Sequence, residues 1–394
     1  MRNARTAAMI VALSVVVVAC GTTGPTAGPN GSAVPPSQDA ASPDVSGAPG
    51  PTPEPTPVDV AALTVATLAN PALTATVALA GSTKLGSTMT TATTGTIDID
   101  GRTSHLVRTD KVGKTTTTTE TITGNGTRYL KVKGVWTKAG PSNDTELIAV
   151  LRAIPTLTDL GVEDKDGAQL HHLQATPVPA VPQEMALETK GITKVATTFD
   201  AWVTDAGIPV TMTFASTWKR AVGTKTVDGS RTTTLAFSNV GGGVRVTVPT
   251  DIWTFFTSTR YRYRIGYPEA WQAKAGAGRF ADSFYGGAQY VYASRARQTN
   301  ANLAFITKGI LKSLKSITGY TNLKILSNSK AKLDGVTARR IEFRGTSSSG
   351  RVYGQAIYAI KGAAWYFLGF DAYTKQDDAS RAMFTTFIRT FDFR

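Results

Sequence analysis

The sequence has almost none of the residues from which metal centres and disulfide frameworks are built. A single cysteine among 394 residues excludes an internal disulfide and a cysteine-based zinc cluster. Three histidines, His105, His171 and His172, leave little for a histidine-rich metal site or a histidine-based triad. Charged residues make up 18% of the chain and apolar residues 41%, so sizeable apolar cores remain available.

Recognisable catalytic motifs are missing as well. The chain has no GxSxG elbow, no GxxxxGK[ST] loop and no HExxH helix. His171 and His172 are neighbours on a predicted strand, so their rings point to opposite faces and do not easily share a metal. Asp98 and Asp100 share a strand face, but ordinary solvent-facing alternation explains them more simply than a catalytic pair does. We therefore expect no enzyme activity, no metal and no cofactor.

The most apolar run of the chain lies near its N-terminus and ends at the only cysteine. Arg2 and Arg5 precede about 13 apolar residues, which suits a signal-peptide core and falls short of the ~20 needed for a transmembrane helix. The residues VVAC at 17–20 resemble the lipobox of bacterial lipoproteins, although Val17 stands where leucine is more usual. In such proteins a diacylglycerol is attached to the cysteine, which cleavage then makes the mature N-terminus.

The lipobox resemblance implies a signal peptide over residues 1–20 and an extracytoplasmic protein anchored to the bacterial cell membrane through a diacylglyceryl group on Cys20. An ordinary signal peptide with an incidental cysteine, or an uncleaved anchor, remains open. Residues 21–57 consist mainly of Gly, Pro, Ser, Thr and Ala, and this composition predicts a disordered linker. Fully extended at about 3.1 Å per residue, it would reach on the order of 100 Å.

Residues 58–253 predict a first domain dominated by antiparallel strands. Threonine-rich and β-branched runs alternate with Gly, Asn and Asp turns, and Asn125-Gly126 is a good hairpin turn. One helix is predicted in NDTELIAVLRAI, where Leu147, Leu151 and Ile154 share a face and Pro155 ends the segment.

The order TRYLKVKGVWTKAG, short helix, FDAWVTDAGIPVTMTF is similar to the LppX/LprG family of envelope lipoproteins, which resemble the periplasmic carrier LolA. This resemblance implies a curved antiparallel half-barrel with helices in its concave face and an apolar cavity for a lipid ligand. The residues we expect at the wall and lid of that cavity are Tyr129, Leu130, Trp136, Leu147, Val150, Leu151, Ile154 and Trp202.

Residues 258–394 predict a second domain. The pattern Y-x-I-x-Y-P-x-x-W at 263–271, a later strand beginning LDG and an amphipathic closing helix resemble PsbP-like domains. The resemblance implies an α/β/α sandwich with an antiparallel sheet. For the whole chain the expected fold class is therefore α+β.

The net charge of +14 belongs entirely to this second region, which holds 22 Lys and Arg against 8 Asp and Glu. A helix is predicted at about 300–317, where Lys308, Lys312 and Lys315 form a stripe. Opposite that stripe lie the apolar residues Ile306, Ile310, Leu314 and Ile317. The lysines are either a solvated face or a contact with an anionic surface such as lipid headgroups or envelope polymers. No nucleic-acid-binding motif is visible, so we expect no nucleic acid partner.

These features favour a membrane-anchored lipoprotein that binds a lipid or another apolar ligand, acting as a carrier or chaperone. The alternative is a cell-surface interaction or scaffold lipoprotein without a ligand, with an envelope protein as its partner. A third hypothesis is an accessory domain of an envelope enzyme complex.

Overall fold

A computed structural model describes residues 58–87, 89–142, 146–152, 154, 156–175, 192–276, 281–297, 302–316, 320–373 and 375–394. The predicted signal peptide, the linker and Cys20 lie outside these residues. Within them, no helix combines the length and the apolar character that crossing a bilayer requires.

Eleven strands of the first region form one antiparallel sheet, because its β-branched runs are separated by tight turns. Asn125 and Gly126 take positive φ values of 52° and 71°, which confirms the predicted hairpin turn. The spatial order is β6-β5-β4-β3-β2-β1-β11-β10-β9-β8-β7, two meanders joined by pairing of the first and last strands. The strands are β1 Thr74–Leu85, β2 Met89–Asp100, β3 Thr103–Val112, β4 Thr115–Gly124, β5 Thr127–Val132, β6 Val135–Pro141, β7 Leu157–Lys165, β8 Ala168–Ala175, β9 Ile192–Val203, β10 Pro209–Val222 and β11 Lys225–Ser238.

One face of this sheet is apolar and is covered by two short helices, α1 (Val60–Ala69) and α2 (Glu146–Arg152). Asp59 begins α1 by accepting a hydrogen bond from the Ala62 N–H at 2.9 Å. The core between helices and sheet includes Val60, Leu68, Leu151 and Ile154 from the helical side. From the strands it takes Val77, Ile97, Leu173, Phe199, Met212 and Leu235.

The second region contains a three-stranded and a seven-stranded antiparallel sheet with two further helices. The smaller sheet is formed by β12 Trp253–Ser258, β13 Tyr263–Pro268 and β21 Asp392–Phe393. The larger sheet has the order β14-β15-β16-β20-β19-β18-β17. Its strands are β14 Gln272–Lys274, β15 Asp282–Gly286, β16 Gln289–Arg297, β17 Thr321–Leu333, β18 Val336–Ser347, β19 Gly350–Lys361 and β20 Ala364–Ala372.

The seven-stranded sheet has an apolar core on each face, because side chains alternate along its strands. Helix α3 (Leu303–Ser316) packs on one face, over Ile341, Phe343 and Tyr358. Helix α4 (Asp377–Thr390) packs on the other. Its core contains Trp253, Phe284, Ile357, Leu368, Phe370, Phe384 and Phe387.

The β5–β6 hairpin of the first region inserts against the second region. Its turn, Lys133-Gly134, has φ values of 50° and 76°, and the next residue, Val135, joins the core beneath α4. The Lys133 ammonium binds the Asp392 carboxylate and donates to the Phe391 carbonyl at 3.2 Å. Arg389 of α4 donates to the Gly134 carbonyl at 3.3 Å. The hairpin thus fastens the first region to the C-terminal strand.

The expected α+β class, a half-barrel with helices in its concave face followed by an α/β/α sandwich, is wrong. The described residues are mostly antiparallel β, with 64% strand and 14% helix distributed over three sheets and few helices. The reason lies in the sequence: threonine-rich, β-branched segments dominate, and consecutive segments pair as hairpins. The two helices among the described residues of the first region are only 10 and 7 residues long.

Candidate functional site

The candidate site lies on α3, the one helix on its face of the seven-stranded sheet in the described part of the chain. Asn302 begins the helix, since its side-chain oxygen accepts from the Phe305 N–H at 2.8 Å. Ile306 and Leu314 lie on the side of the helix opposite the lysines and are buried against the sheet. This packing fixes which side of α3 points outward.

The outward side carries the predicted lysine stripe. Lys308, Lys312 and Lys315 are all exposed, and Arg339 of β18 lies on the same sheet face as Ile341. Arg339 is oriented by hydrogen bonding to the Asn328 side-chain oxygen at 2.7 Å. The four cationic side chains border an open groove of about 810 Å³, which is completed by Leu303, Ala304, Thr307 and Leu311. The groove therefore combines an apolar floor with a cationic border. Ile317, predicted on the buried side, lies outside the described residues.

The carboxylates of the second region are engaged elsewhere. All eight of them lie in the described part of the chain, and each contacts a protein partner. The pairs are Glu269 with Lys138, Asp282 with Tyr263, Asp334 with the Phe393 N–H, Glu342 with Arg381, Asp371 with Tyr292 and Tyr320, Asp377 with Arg344 and Arg351, Asp378 with Arg381, and Asp392 with Lys133. None of these contacts involves a lysine of α3.

Most of the pairing lies on the α4 face. Glu342 accepts from Arg381 at 2.6 Å and from the Tyr353 hydroxyl at 2.7 Å. Burial raises the pKa of Glu342, but the hydrogen bonds from Arg381 and Tyr353 outweigh it and lower the pKa below its ordinary value. Asp377, in the first turn of α4, binds Arg351 at 2.5 Å and also Arg344. Three basic residues of this face, Arg344, Arg351 and Arg381, are thus paired with carboxylates.

One carboxyl group, Asp371, lies on the α3 face, but it is held by buried partners and does not pair with the surface lysines. It lies opposite Tyr290 of β16, and Tyr292 and Tyr320 donate hydrogen bonds to it. Burial raises its pKa to about 7, even though the tyrosine hydrogen bonds oppose the shift. Its Oδ1 atom is inaccessible to solvent and has no hydrogen-bond partner among the described residues. The group therefore titrates close to neutral pH.

The residues predicted to line a lipid cavity divide between the two faces of the eleven-stranded sheet. Leu151 and Ile154 are buried in the core beneath α1, and Val150 packs against the same core. Leu130 is on that face too, since it lies opposite Thr121, which in turn lies opposite Leu106 of the core. The side chain of Leu147 is not among those described.

Tyr129, Trp136 and Trp202 lie on the opposite face, which corrects their assignment to a cavity wall. Trp202 stacks on His172 with 4.9 Å between ring centroids, and the Lys165 ammonium lies 4.3 Å from its ring centroid. The strand alternation that buries Ala201 and Val203 turns Trp202 outward. Trp136 is paired similarly, with the Lys131 ammonium 5.2 Å from its ring centroid. These are surface aromatic–cation pairs.

The histidines are held by carboxylates. His171 Nδ1 lies 2.8 Å from Asp159, and His172 Nε2 lies 3.0 Å from Asp200. The two rings belong to opposite faces of β8, as the sequence predicts, because Leu173 and not its neighbour His172 joins the core. Within the described ranges, no group of three or more His, Cys, Asp or Glu side chains is arranged to hold a metal ion.

Three features of the α3 face are not anticipated from the sequence. Arg339 could have been found from its alternation with Ile341 on a strand, once that strand is placed under α3. Phe305, which is exposed on α3, stands two helical turns before Lys312 and so shares its side. Asp371 gives no local signal, because its burial depends on tyrosines from three separate segments.

No protein-family model matches this chain, and no curated protein matches its sequence. Solved structures with partial similarity include cyanobacterial PsbP from Synechocystis, 13% identical over 39% of this chain and 98% of that one, with a TM-score of 0.31. LprF from Mycobacterium bovis is 19% identical over 48% of this chain and 94% of its own, with a TM-score of 0.27. The Ran-binding protein Mog1p from Saccharomyces cerevisiae is 8% identical over 36% of this chain and 96% of its own, at 0.29.

Proposed function

We propose that the protein is a non-enzymatic, lipid-anchored extracytoplasmic lipoprotein that binds an anionic surface through the lysine face of α3. The observation that carries this proposal is the separation of charge within the second region. Lys308, Lys312, Lys315 and Arg339 border one groove, and each of the eight carboxylates is engaged by a partner other than a lysine of α3.

The energetics suit reversible contact with an anionic membrane or polymer. A lysine or arginine close to an anionic bilayer contributes about 1 kcal/mol, so four such groups give a useful but salt-sensitive affinity. A diacylglyceryl group on Cys20 would supply two acyl chains, enough for stable anchoring. Tethering the body to the membrane in this way raises the effective concentration of α3 at the surface. The anchor and the basic face therefore act together.

This role is that of an interaction protein and requires no ligand under the eleven-stranded sheet. The apolar face of that sheet is packed by α1 and α2, with Val60, Leu68, Leu151 and Ile154 in the shared core. A lipid-carrier role additionally requires a bound lipid. Lipid extraction and native mass spectrometry of protein purified from its native host would test for one. Stoichiometric co-purifying lipid would favour the carrier role over a purely interacting one.

Vesicle co-sedimentation tests the proposed contact. The protein beginning at Gly21 keeps every described residue and omits the predicted anchor. We expect it to bind vesicles of phosphatidylcholine mixed with phosphatidylglycerol at low salt, and phosphatidylcholine vesicles hardly at all.

Two variants that each remove three lysines distinguish binding through the α3 face from a general effect of net charge. The triple variant Lys308→Gln, Lys312→Gln, Lys315→Gln should lose most binding. The control Lys111→Gln, Lys114→Gln, Lys225→Gln removes three exposed lysines from the first region and should bind as the parent does. Equal binding to neutral and anionic vesicles, or equal loss in both triple variants, would overturn the proposal.

A further inference from the structure

An exposed aromatic ring lies on the outward side of α3, in the first turn of the helix and one turn before Lys308. The side chain of Phe305 is 56% exposed, the largest exposed fraction of any aromatic residue among those described. With 3.6 residues per turn, Phe305 and Lys312 lie on one line along α3, opposite the buried Ile306, Ile310 and Leu314 side. Ala304 and Gly309, small and exposed, flank the ring. Nothing on α3 itself shields Phe305 from an approaching surface.

We infer that α3 lies in the interface of an anionic bilayer, with Phe305 inserted at the boundary between headgroups and acyl chains. This inference rests on the proposed anionic contact and names its occupant as a membrane leaflet. A polymer of like charge would engage the lysines but would offer nothing to bury an aromatic ring. A bilayer interface offers both, since lysine stems lie along apolar surface while their ammonium groups reach the headgroups.

The shape of the surface fits that occupant. The 14-residue helix packs on the sheet, and its outward line consists of Phe305, Gly309 and Lys312. Lys312 also borders the groove beside this line, together with Lys308 and Lys315. The apolar floor of the groove, Leu303 and Leu311, lies beside this line. An amphipathic helix that exposes lysines and an aromatic residue has the composition of interfacial helices.

Fluorescence tests insertion directly. The chain from Gly21 onward contains no cysteine, because the single cysteine is Cys20. Phe305→Cys therefore takes one environment-sensitive label, such as a nitrobenzoxadiazole group. On adding phosphatidylglycerol-containing vesicles we expect its emission to shift to the blue and rise several-fold. Ala382→Cys, at an exposed position of α4, serves as the matched label and should not respond.

Vesicle-binding measurements on Phe305 variants provide a second test of insertion. Phe305→Ala should weaken partitioning to anionic vesicles by roughly ten-fold, and Phe305→Leu should restore most of it. Leu160→Ala removes an apolar side chain of similar exposure from the first region, where Leu160 is 54% exposed, and should have no effect. Soluble polyphosphate should bind the parent and Phe305→Ala equally.

The outcomes distinguish the two proposals. If the triple lysine variant loses binding while Phe305→Ala binds as the parent and the label at 305 stays unchanged, insertion is wrong and the electrostatic contact stands. If the parent fails to bind anionic vesicles and polyphosphate alike, both proposals fall.

Discussion

The two faces of the seven-stranded sheet carry helices of equal length, 14 residues each, yet they differ in charge and in packing. On the α4 face, Phe384 and Phe387 are fully buried, and basic residues such as Arg344 and Arg381 are paired with carboxylates. On the α3 face, an aromatic ring is exposed and lysines border an open groove. A face that stabilises the fold satisfies its groups internally, whereas a face kept for contact leaves charge and apolar area exposed.

The largest expected effect comes from a matched pair of phenylalanine substitutions. Phe387 is 0% exposed and contacts Trp253 with 5.1 Å between ring centroids, so Phe387→Ala leaves a cavity in the α4 core. We expect a loss of about 3–5 kcal/mol in the free energy of unfolding. Phe305→Ala, at an exposed position, should change it by less than about 0.5 kcal/mol. Urea unfolding measures both.

Comparable destabilisation by the two substitutions would mean that Phe305 is packed in solution. The contrast between the faces would then be wrong.

The next effect concerns the buried carboxyl group on the α3 face. The pKa of Asp371 is about 7 in the folded protein, above its ordinary value of 3.8, so the folded state binds the proton more tightly than the unfolded state. Its contribution to stability is complete below pH ~4 and declines as pH rises to about 7. Each pH unit in that window is worth about 1.4 kcal/mol, which limits the total loss to about 4 kcal/mol.

Asp371→Asn mimics the protonated side chain and should remove this decline. We expect the variant to be more stable than the parent at pH 8 and nearly equal to it at pH 4, measured by urea unfolding at both values. Asp228→Asn, an exposed residue of the first region, is the control and should show no such crossover. A parent stability that stays level from pH 4 to 8 would contradict the assignment.

A smaller effect is expected where the α4 side meets the first region. Lys133 binds Asp392 and the Phe391 carbonyl, so Lys133→Ala removes two contacts that fasten β21. For a partly exposed pair we expect a loss of about 1–2 kcal/mol, and faster amide hydrogen exchange in β21. Lys219→Ala breaks an exposed pair with Asp228 and should cost less than about 0.5 kcal/mol. Unchanged exchange in β21 would show that the hairpin contact is incidental.

Sequence alone was sufficient where pattern is local. The Asn125-Gly126 turn, the succession of hairpin strands and the orientation of α3, with Ile306 and Leu314 inward, follow from turn chemistry and periodicity. The predicted fold class was wrong because the family resemblance implied a larger helical contribution than the short helices that the chain forms. Helix α1, with its valines and threonines, was missed because those residues favour strands, although Val60, Thr64 and Leu68 keep an i, i+4 spacing.

For a similar reason, the sequence predicted some residues of the candidate site and not others. The lysine stripe depends on one helix and could be found from its spacing. Tyr129 and Leu130 were both assigned to one cavity wall, although neighbours on a strand face opposite ways, and the same alternation places Trp202 outside. Asp371 and Arg339 depend on which strands pair and on which face α3 packs, and no local pattern contains that information.

The smallest effect tests the difference in ion pairing between the faces. On the α4 face the pKa of Glu342 is lowered, so its stabilising contribution is present above its ordinary pKa of 4.5 and is lost as pH falls below that value. Glu342→Gln should therefore cost up to about 1 kcal/mol at pH 7 and almost nothing at pH 3, because the ion pair with Arg381 is partly exposed. Lys308→Gln should leave the free energy of unfolding unchanged at both pH values. If Lys308→Gln destabilises the protein at pH 7 as much as Glu342→Gln does, Lys308 stabilises the fold itself, and its availability for an external anionic surface is lost.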